Sequence, residues 1–258
     1  MRYLYLVSLL LYLGACTSNT ENTSSTEATD PVITDTARWV VEQAILQHGG
    51  AVLDTSLVRF TFRERAYTAA RTGAAFLYER EYTNEEGQVI KDALSPKTFS
   101  RTINGEVAQL SEKDSSAYAN SLNSVMYFAF LPYFLTDPAV QLEYQGVTNA
   151  FGQPHHELKV TFRADGGGKD FEDEYAYWFA TDDFTLNYLA YNFLVNGGGA
   201  RFREAYNARK VKGIVFQDYL NYKPQDEARR DILAFDDLFA KGQLDTLSRI
   251  DLEEVVVE

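Results

Sequence analysis

Arg201 and Arg203 stand two residues apart in a segment of strand-like alternation, so their guanidinium groups share one face. Two forks on one face can clamp a carboxylate or a phosphate head group. Tyr206 and Asn207 continue the same segment, and Gln217, Asp218, Tyr219 and Asn221 lie beside it across a hairpin. Arg201, Arg203, Tyr206, Asn207, Asp218 and Tyr219 are therefore candidate ligand-binding residues, together with Tyr177 and Trp178 from the neighbouring aromatic segment. The competing reading pairs these arginines internally with Asp218, Glu204 or Asp173. Glu172, Asp173 and Glu174 carry acid–base chemistry of the kind hydrolases use, or else form a solvated strand edge. No residue receives a catalytic role.

The histidines are His48, His155 and His156. His48 precedes Gly49-Gly50, where an imidazolium suits a helix C-terminus. His155 and Glu157 share a strand face, but two ligands seldom make a metal site, and a surface strand start after Pro154 is the simpler reading. No phosphate-binding GxxxxGK[ST], nucleophile elbow, HExxH or EF-hand loop is present, so neither a metal nor a cofactor is expected. With 37 Asp and Glu against 24 Lys and Arg, the net charge of −13 argues against nucleic acid.

The elements that must position these groups are mostly strands. Thr34-Asp35 can cap a helix carrying Ala37, Val40, Val41, Ala44 and Ile45 on one face, ended by Gly49-Gly50. Val58, Phe60 and Phe62 alternate with polar residues as a half-buried strand. Ala75 to Tyr82 and Gln88 to Leu94 form a hairpin, as do Thr98 to Ile103 and Glu106 to Leu110 around Asn104-Gly105. Ser111 to Leu135 loses the alternation and reads as a helix, polar first and apolar from Val125, broken at Pro132. Strands resume over His156 to Phe162, Asp173 to Ala180, Thr185 to Val195, Arg201 to Lys210 and Gly213 to Tyr222, with turns at Gly166-Gly167-Gly168 and Asn196 to Gly199. A short helix over Phe235 to Ala240 and a last strand from Ile250 to Val257 complete the chain. Tyr175, Tyr177, Tyr188, Tyr191 and Phe193 mark either core or the lining of a cavity. The fold class expected is α+β: a large curved antiparallel sheet, a half-barrel, wrapped around one or two helices with room for an apolar ligand.

The N-terminus reads as an address. Arg2, an apolar run from Tyr3 to Leu13 and the small pair Gly14-Ala15 form a signal peptide over residues 1–15, too short for a mature membrane span. Leu13-Gly14-Ala15-Cys16 resembles the lipobox of bacterial lipoproteins, and this resemblance implies lipidation of Cys16, the only cysteine. An ordinary secretory signal with an incidental cysteine is the competing reading. Several acyl chains, at about 0.8 kcal/mol per buried CH₂, make a stable anchor, and an acidic body needs one beside an anionic membrane. Thr-Ser-Asn follows Cys16, with no Asp, and by resemblance to the sorting rule of Gram-negative bacteria this implies the outer membrane. Residues 16–30 are too polar to order themselves and read as a tether with a reach of roughly 20 Å, leaving one half-barrel domain over residues 31–258.

This arrangement resembles the half-barrel of the outer-membrane lipoprotein carriers. SLNSVMYFAFLPYFL (Ser121 to Leu135), DEYAYWF (Asp173 to Phe179), GGARFREAYNAR (Gly198 to Arg209) and FQDYLNYK (Phe216 to Lys223) resemble a family of uncharacterised bacterial lipoproteins. The carrier likeness implies a lipid-anchored envelope protein, non-catalytic, that binds an apolar or amphipathic, lipid-like ligand and meets the membrane through its anchor. An envelope hydrolase using Asp173 or Asp218 with an arginine clamp is the alternative, and a structural or partner-binding lipoprotein is a third.

Overall fold

The computed structural model describes residues 35–149, 151–165, 171–194 and 197–258. The signal segment, Cys16, the tether, the Gly166-Gly167-Gly168 turn and Asn196 lie outside the described residues, which all belong to one compact unit, Thr34–Glu258.

Helix α1 (Thr36–Gln47) is capped by Asp35, whose carboxylate accepts from the Arg38 amide at 3.0 Å, and it buries Ala37, Val40, Val41 and Ala44. Gly49 follows in the left-handed region at φ 83°, the conformation glycine adopts without penalty. A Cβ there would stand 2.1 Å from the Gly213 carbonyl oxygen, so the helix end can dock on the sheet only through glycine. The short α2 (Gly50–Leu53) leads into a meander of β1 (Leu57–Phe62), β2 (Arg65–Thr72), β3 (Ala75–Thr83), β4 (Val89–Leu94), β5 (Phe99–Ile103) and β6 (Glu106–Val107). β1 buries Val58, Phe60 and Phe62 as its alternation requires. β2 is not among the expected strands. The turn that enters it, Arg63-Glu64, holds two non-glycine residues at φ 49° and 60°, where Asn-Gly is the usual signal. Asn104-Gly105 shows that usual signal at φ 51° and 87°, although the strand after it has only two residues.

Ser111 caps α3 (Glu112–Ala129) by accepting from the Asp114 amide at 3.1 Å. The helix stops at Ala129, earlier than expected, because the residues before Pro132 are pushed out of helical geometry. A single 3-10 turn, Tyr133–Thr136, follows. Then come β7 (Val140–Thr148), also unexpected, β8 (His155–Phe162), β9 (Tyr175–Ala180), β10 (Leu186–Phe193), β11 (Gly199–Val211) and β12 (Ile214–Pro224). Helix α4 (Phe235–Ala240) falls where its sequence places it. The expected last strand, Ile250 to Val257, is β14 (Glu253–Val257), and β13 (Leu244–Ile250), which ends before Asp251-Leu252, is not among the expected strands.

Among the described residues the strands form two seven-stranded antiparallel sheets, in the orders β14-β1-β2-β3-β4-β5-β6 and β13-β12-β11-β10-β9-β8-β7. The chain passes from one sheet to the other at β13–β14, so that edge is a corner and the β6 and β7 edges stay open. Asp218 holds the corner. Its carboxylate accepts from the Leu252 amide at 2.8 Å and from Asn207 Nδ2 at 2.6 Å, and it meets Arg209 at 3.1 Å. The architecture is α+β, a curved, unclosed antiparallel shell around helices. Phe130, just past α3, packs on Phe60 of one sheet and Phe216 of the other at 6.3 and 6.4 Å, joining both concave faces in one core. The convex face of the second sheet carries its own cluster, in which Trp178 and Phe202 pack under Ile232, Phe235 and Leu238. No helix among the described residues is long and apolar enough to cross a membrane.

Helix α3 is fixed to the first sheet by Leu122 and Met126 and by buried charge. Asp92 is fully buried between its cross-strand neighbours Arg80 and Arg101, with nitrogen–oxygen distances of 2.6 Å to each. Arg80 donates onward to Ser121 of α3 at 3.0 Å, and the Arg101 guanidinium lies 3.4 Å over the Tyr118 ring. Removing the single anion between two buried cations is costly. Asp92→Asn is expected to lower unfolding free energy by about 3–5 kcal/mol, measured by urea denaturation, whereas replacement of the exposed Lys113 is expected to leave it unchanged.

Candidate ligand-binding cavity

With α3 seated on the first sheet, the concave face of the second is left partly uncovered. A partly open cavity of about 1350 Å³ occupies the gap, larger than the roughly 300–1,000 Å³ usual for small-molecule sites. Its helical wall is Val125, Tyr127 and Phe128, continued by Leu131, Tyr133 and Phe134. Its sheet wall is Phe162, Tyr175, Tyr177, Leu189, Tyr191 and Phe193, and Phe62, Phe76 and Tyr78 close the side nearest the first sheet. The rungs are in register: Tyr175, Tyr191 and Arg201 are successive cross-strand neighbours, as are Tyr177, Leu189 and Arg203.

Arginine sits around this apolar surface. The Arg203 guanidinium donates to the Tyr191 hydroxyl at 3.1 Å and lies over the Tyr191 and Phe128 rings at 5.1 and 5.6 Å. Arg201 lies 5.1 Å over Phe193. At the far side Arg71, whose side chain is 7% exposed, donates to Tyr78 at 2.5 Å and to Tyr133 at 2.9 Å and faces Asp54 at 3.9 Å. Tyr133 in turn donates to Asp54, and burial together with this bond pushes its pKa up to about 12. Burial also raises the phenols of Tyr127 and Tyr177, which remain neutral donors.

Of the residues that sequence singles out for binding, Arg201, Arg203 and Tyr177 line the cavity. Tyr206, Asn207 and Asp218 work at the sheet corner instead, where Tyr206 donates to Asp251 and accepts from Arg249 at 2.6 Å. Tyr219 is buried in the core and Trp178 belongs to the convex cluster. Tyr188, one residue out of phase with Tyr191, also faces the convex side, stacked on Phe151 at 3.9 Å. Neither Asp218 nor Glu204 pairs with Arg201 or Arg203: Asp218 holds Arg209, and Glu204 accepts from Tyr222 at 2.8 Å. Asp173 lines the cavity beside the two arginines. The sequence reading misses Arg71, because its strand has no recognisable turn, and Asp54 and Asp137, which no pattern marks.

The histidines and the remaining carboxylate sit elsewhere. His48 is not a helix-end cation. Its Nε2 accepts from the Leu186 amide at 3.2 Å, and burial pulls its pKa down to about 4, so the ring is neutral with its proton on Nδ1. His155 is not a surface residue but is buried, donating through Nδ1 to the Gln153 carbonyl at 2.8 Å, with Nε2 next to Asn187 Nδ2 at 3.1 Å. Glu157 lies on the convex face, where burial and then the charges of Asp236 and Asp231 push its carboxyl up to about 7. The carboxyl best poised for proton transfer thus lies on the opposite face of the sheet from the arginine pair. Among the described residues no group of three or more His, Cys, Asp or Glu could hold a metal ion.

A family model matches residues 37–252, and its description is a family of unknown function, DUF6503. The chain belongs to that family. No curated protein matches it. Among solved structures it is similar to a domain assigned to outer-membrane lipoprotein sorting from Vibrio parahaemolyticus, with 6% identity and a TM-score of 0.45 over 86% of this chain and 93% of that one. A LolA superfamily protein from Nitrosomonas europaea aligns with 10% identity and a TM-score of 0.41 over 87% and 92%. The lipoprotein LppX of Mycobacterium tuberculosis aligns with 13% identity and a TM-score of 0.29 over 62% and 90%.

The neutral state of His48 has a measurable consequence. Below about pH 6.5 the unfolded imidazole takes up a proton that the folded ring refuses until about pH 4, so this group's contribution to stability is lost as pH falls through that window. Urea denaturation at pH 7 and pH 4.5 is expected to show wild type losing about 2 kcal/mol more than His48→Gln; Glu157, with the opposite slope, is common to both proteins.

Proposed function

We propose that this is a lipid-anchored, non-catalytic protein of the bacterial envelope that binds an apolar or amphipathic ligand in the cavity between α3 and the second sheet. The observation that carries the reading is the cavity itself. Rings and aliphatic side chains line it along the inner faces of β8 to β11, on a surface that neighbouring strands or helices normally cover. Each methylene placed there contributes about 0.8 kcal/mol, so a long acyl chain matches the space better than a compact polar metabolite. Arg201, Arg203 and Tyr177 are the binding residues of this reading.

The N-terminal part of the reading rests on sequence. Residues 1–15 act as signal peptide, Cys16 carries the lipid, residues 16–30 form the tether, and the domain over residues 31–258 is held at the outer membrane.

Two measurements test it. The full chain carrying Cys16→Ser is expected to take up the neutral apolar dye phenylnaphthylamine, with a blue-shifted rise in fluorescence. Val125→Trp, which fills the helical wall, is expected to weaken uptake about tenfold while the protein stays folded. No uptake by the folded wild-type domain contradicts the reading. Independently, metabolic labelling with palmitate is expected to mark the wild-type chain and leave Cys16→Ser unmarked.

A further inference from the structure

Polar atoms without partners are distributed unevenly in this protein. Among the described residues, those that line the cavity are Arg71 Nε, the Tyr127 hydroxyl and Arg203 Nε. Two of these atoms can only donate. The third keeps its proton, because burial raises the phenol above its ordinary value. The unpartnered acceptors, Glu157 Oε1 and Asn221 Oδ1, are not part of the lining. The unpartnered polar atoms of the cavity are therefore donors, in a lining that also holds the carboxylates of Asp54, Asp137 and Asp173.

The two arginines with a buried, unpartnered Nε differ in their compensation. Arg71 has Asp54 at 3.9 Å and the hydroxyls of Tyr78 and Tyr133. Arg203 forms no salt bridge among the described residues, and its polar partner is the Tyr191 hydroxyl at 3.1 Å. The rings of Tyr191 and Phe128 lie 5.1 and 5.6 Å from its guanidinium carbon, an arrangement that leaves the donor edge for a planar or tetrahedral oxyanion. Arg201, two residues along the same face of β11, adds a second positive charge, and Asp173 lines the same cavity. In a chain of net charge −13, a guanidinium that forms no salt bridge among the described residues, beside an apolar cavity, is placed for an anion brought by a ligand.

We infer that the occupant is an anionic amphiphile whose carboxylate or phosphate oxygens are received by Arg203, with its apolar chain lying along Val125, Phe128 and Phe162. This rests on the cavity reading above and adds the chemical class of the head group. Displacement of phenylnaphthylamine from the full chain carrying Cys16→Ser tests it with three ligands of equal chain length: palmitate, palmitoyl lysophosphatidic acid and neutral hexadecanol. At least one anion is expected to bind about tenfold or more tighter than hexadecanol. A tighter palmitate identifies a fatty acid source, and a tighter lysophosphatidic acid identifies a phospholipid.

Arg203→Gln is expected to bring the anions down to the affinity of hexadecanol and to leave hexadecanol unchanged. Arg203→Lys, keeping the charge without the fork, is expected to restore part of the difference. If Arg203→Gln does not fold, the wild-type comparison alone decides. Equal binding of all three ligands by wild type overturns the inference while the cavity reading stands. An anion preference that survives in a folded Arg203→Gln overturns the role given to Arg203. Failure of the dye itself to bind overturns the cavity reading.

Discussion

The placement of one helix governs this molecule. Helix α3 is locked onto the first sheet by Leu122, Met126 and the buried Arg80–Asp92–Arg101 cluster that reaches Ser121 and Tyr118. A helix is about 10 Å across with its side chains, so one that sits on one sheet cannot also fill the hollow of a second sheet curling away from it. An apolar residue in that position would pack equally well on either sheet. A charged cluster does not, since its partners exist only on β3, β4 and β5, and such buried charge is better suited to choosing one arrangement than to adding net stability. The uncovered face of β8 to β11 is the consequence.

The second sheet explains the unusual content of 17 Tyr and 17 Phe. Its strands are apolar on both faces. Tyr175, Tyr177 and Tyr191 look into the cavity, and Trp178, Tyr188 and Phe202 look outward to the cluster that α4 and its preceding turn cover. Rings fill a wall with few rotatable bonds, so the hollow keeps its shape without a tightly packed centre. The arrangement depends on the β13–β14 corner. There Asp218 accepts from the Leu252 amide and Arg209 donates to the Leu252 carbonyl at the point where the ladder stops, and Asn207, which donates to Asp218, takes up a left-handed φ of 50° to make the bulge.

Much of this was legible in the residues. The N-cap Asp35, the Gly49 stop, the Asn104-Gly105 turn and the five long strands after His155 all declare themselves through local rules that the tertiary structure does not override. What was hidden is instructive. Strand β2 follows a turn, Arg63-Glu64, whose composition gives no sign of the left-handed backbone it adopts, so Arg71 was invisible as a wall of the cavity. Strand β7 alternates only between half-buried and exposed residues, because it is an edge strand. Strand β13 was missed as well, and its separation from β14 at Asp251-Leu252 comes from the corner, a tertiary demand with no local signature. The polar residues of β11 and β12 look alike in sequence. Arg203 and Asp218 lie opposite in chemistry and near in register, yet one serves the cavity and the other the corner, because Arg203 stands across from Asn221 and Asp218 across from Tyr206, three residues along, so alternation turns them to opposite faces.

The central claim is that the hollow of the second sheet holds the apolar part of a lipid-like ligand in the cell. Photo-crosslinking in intact cells with a diazirine-bearing fatty acid, followed by peptide mapping, measures this directly. Adducts are expected at the cavity walls, on Val125, Phe128, Phe134 and Phe162. Adducts confined to the exposed apolar residues Val147, Leu247 and Val256, with none on the walls, would contradict the account.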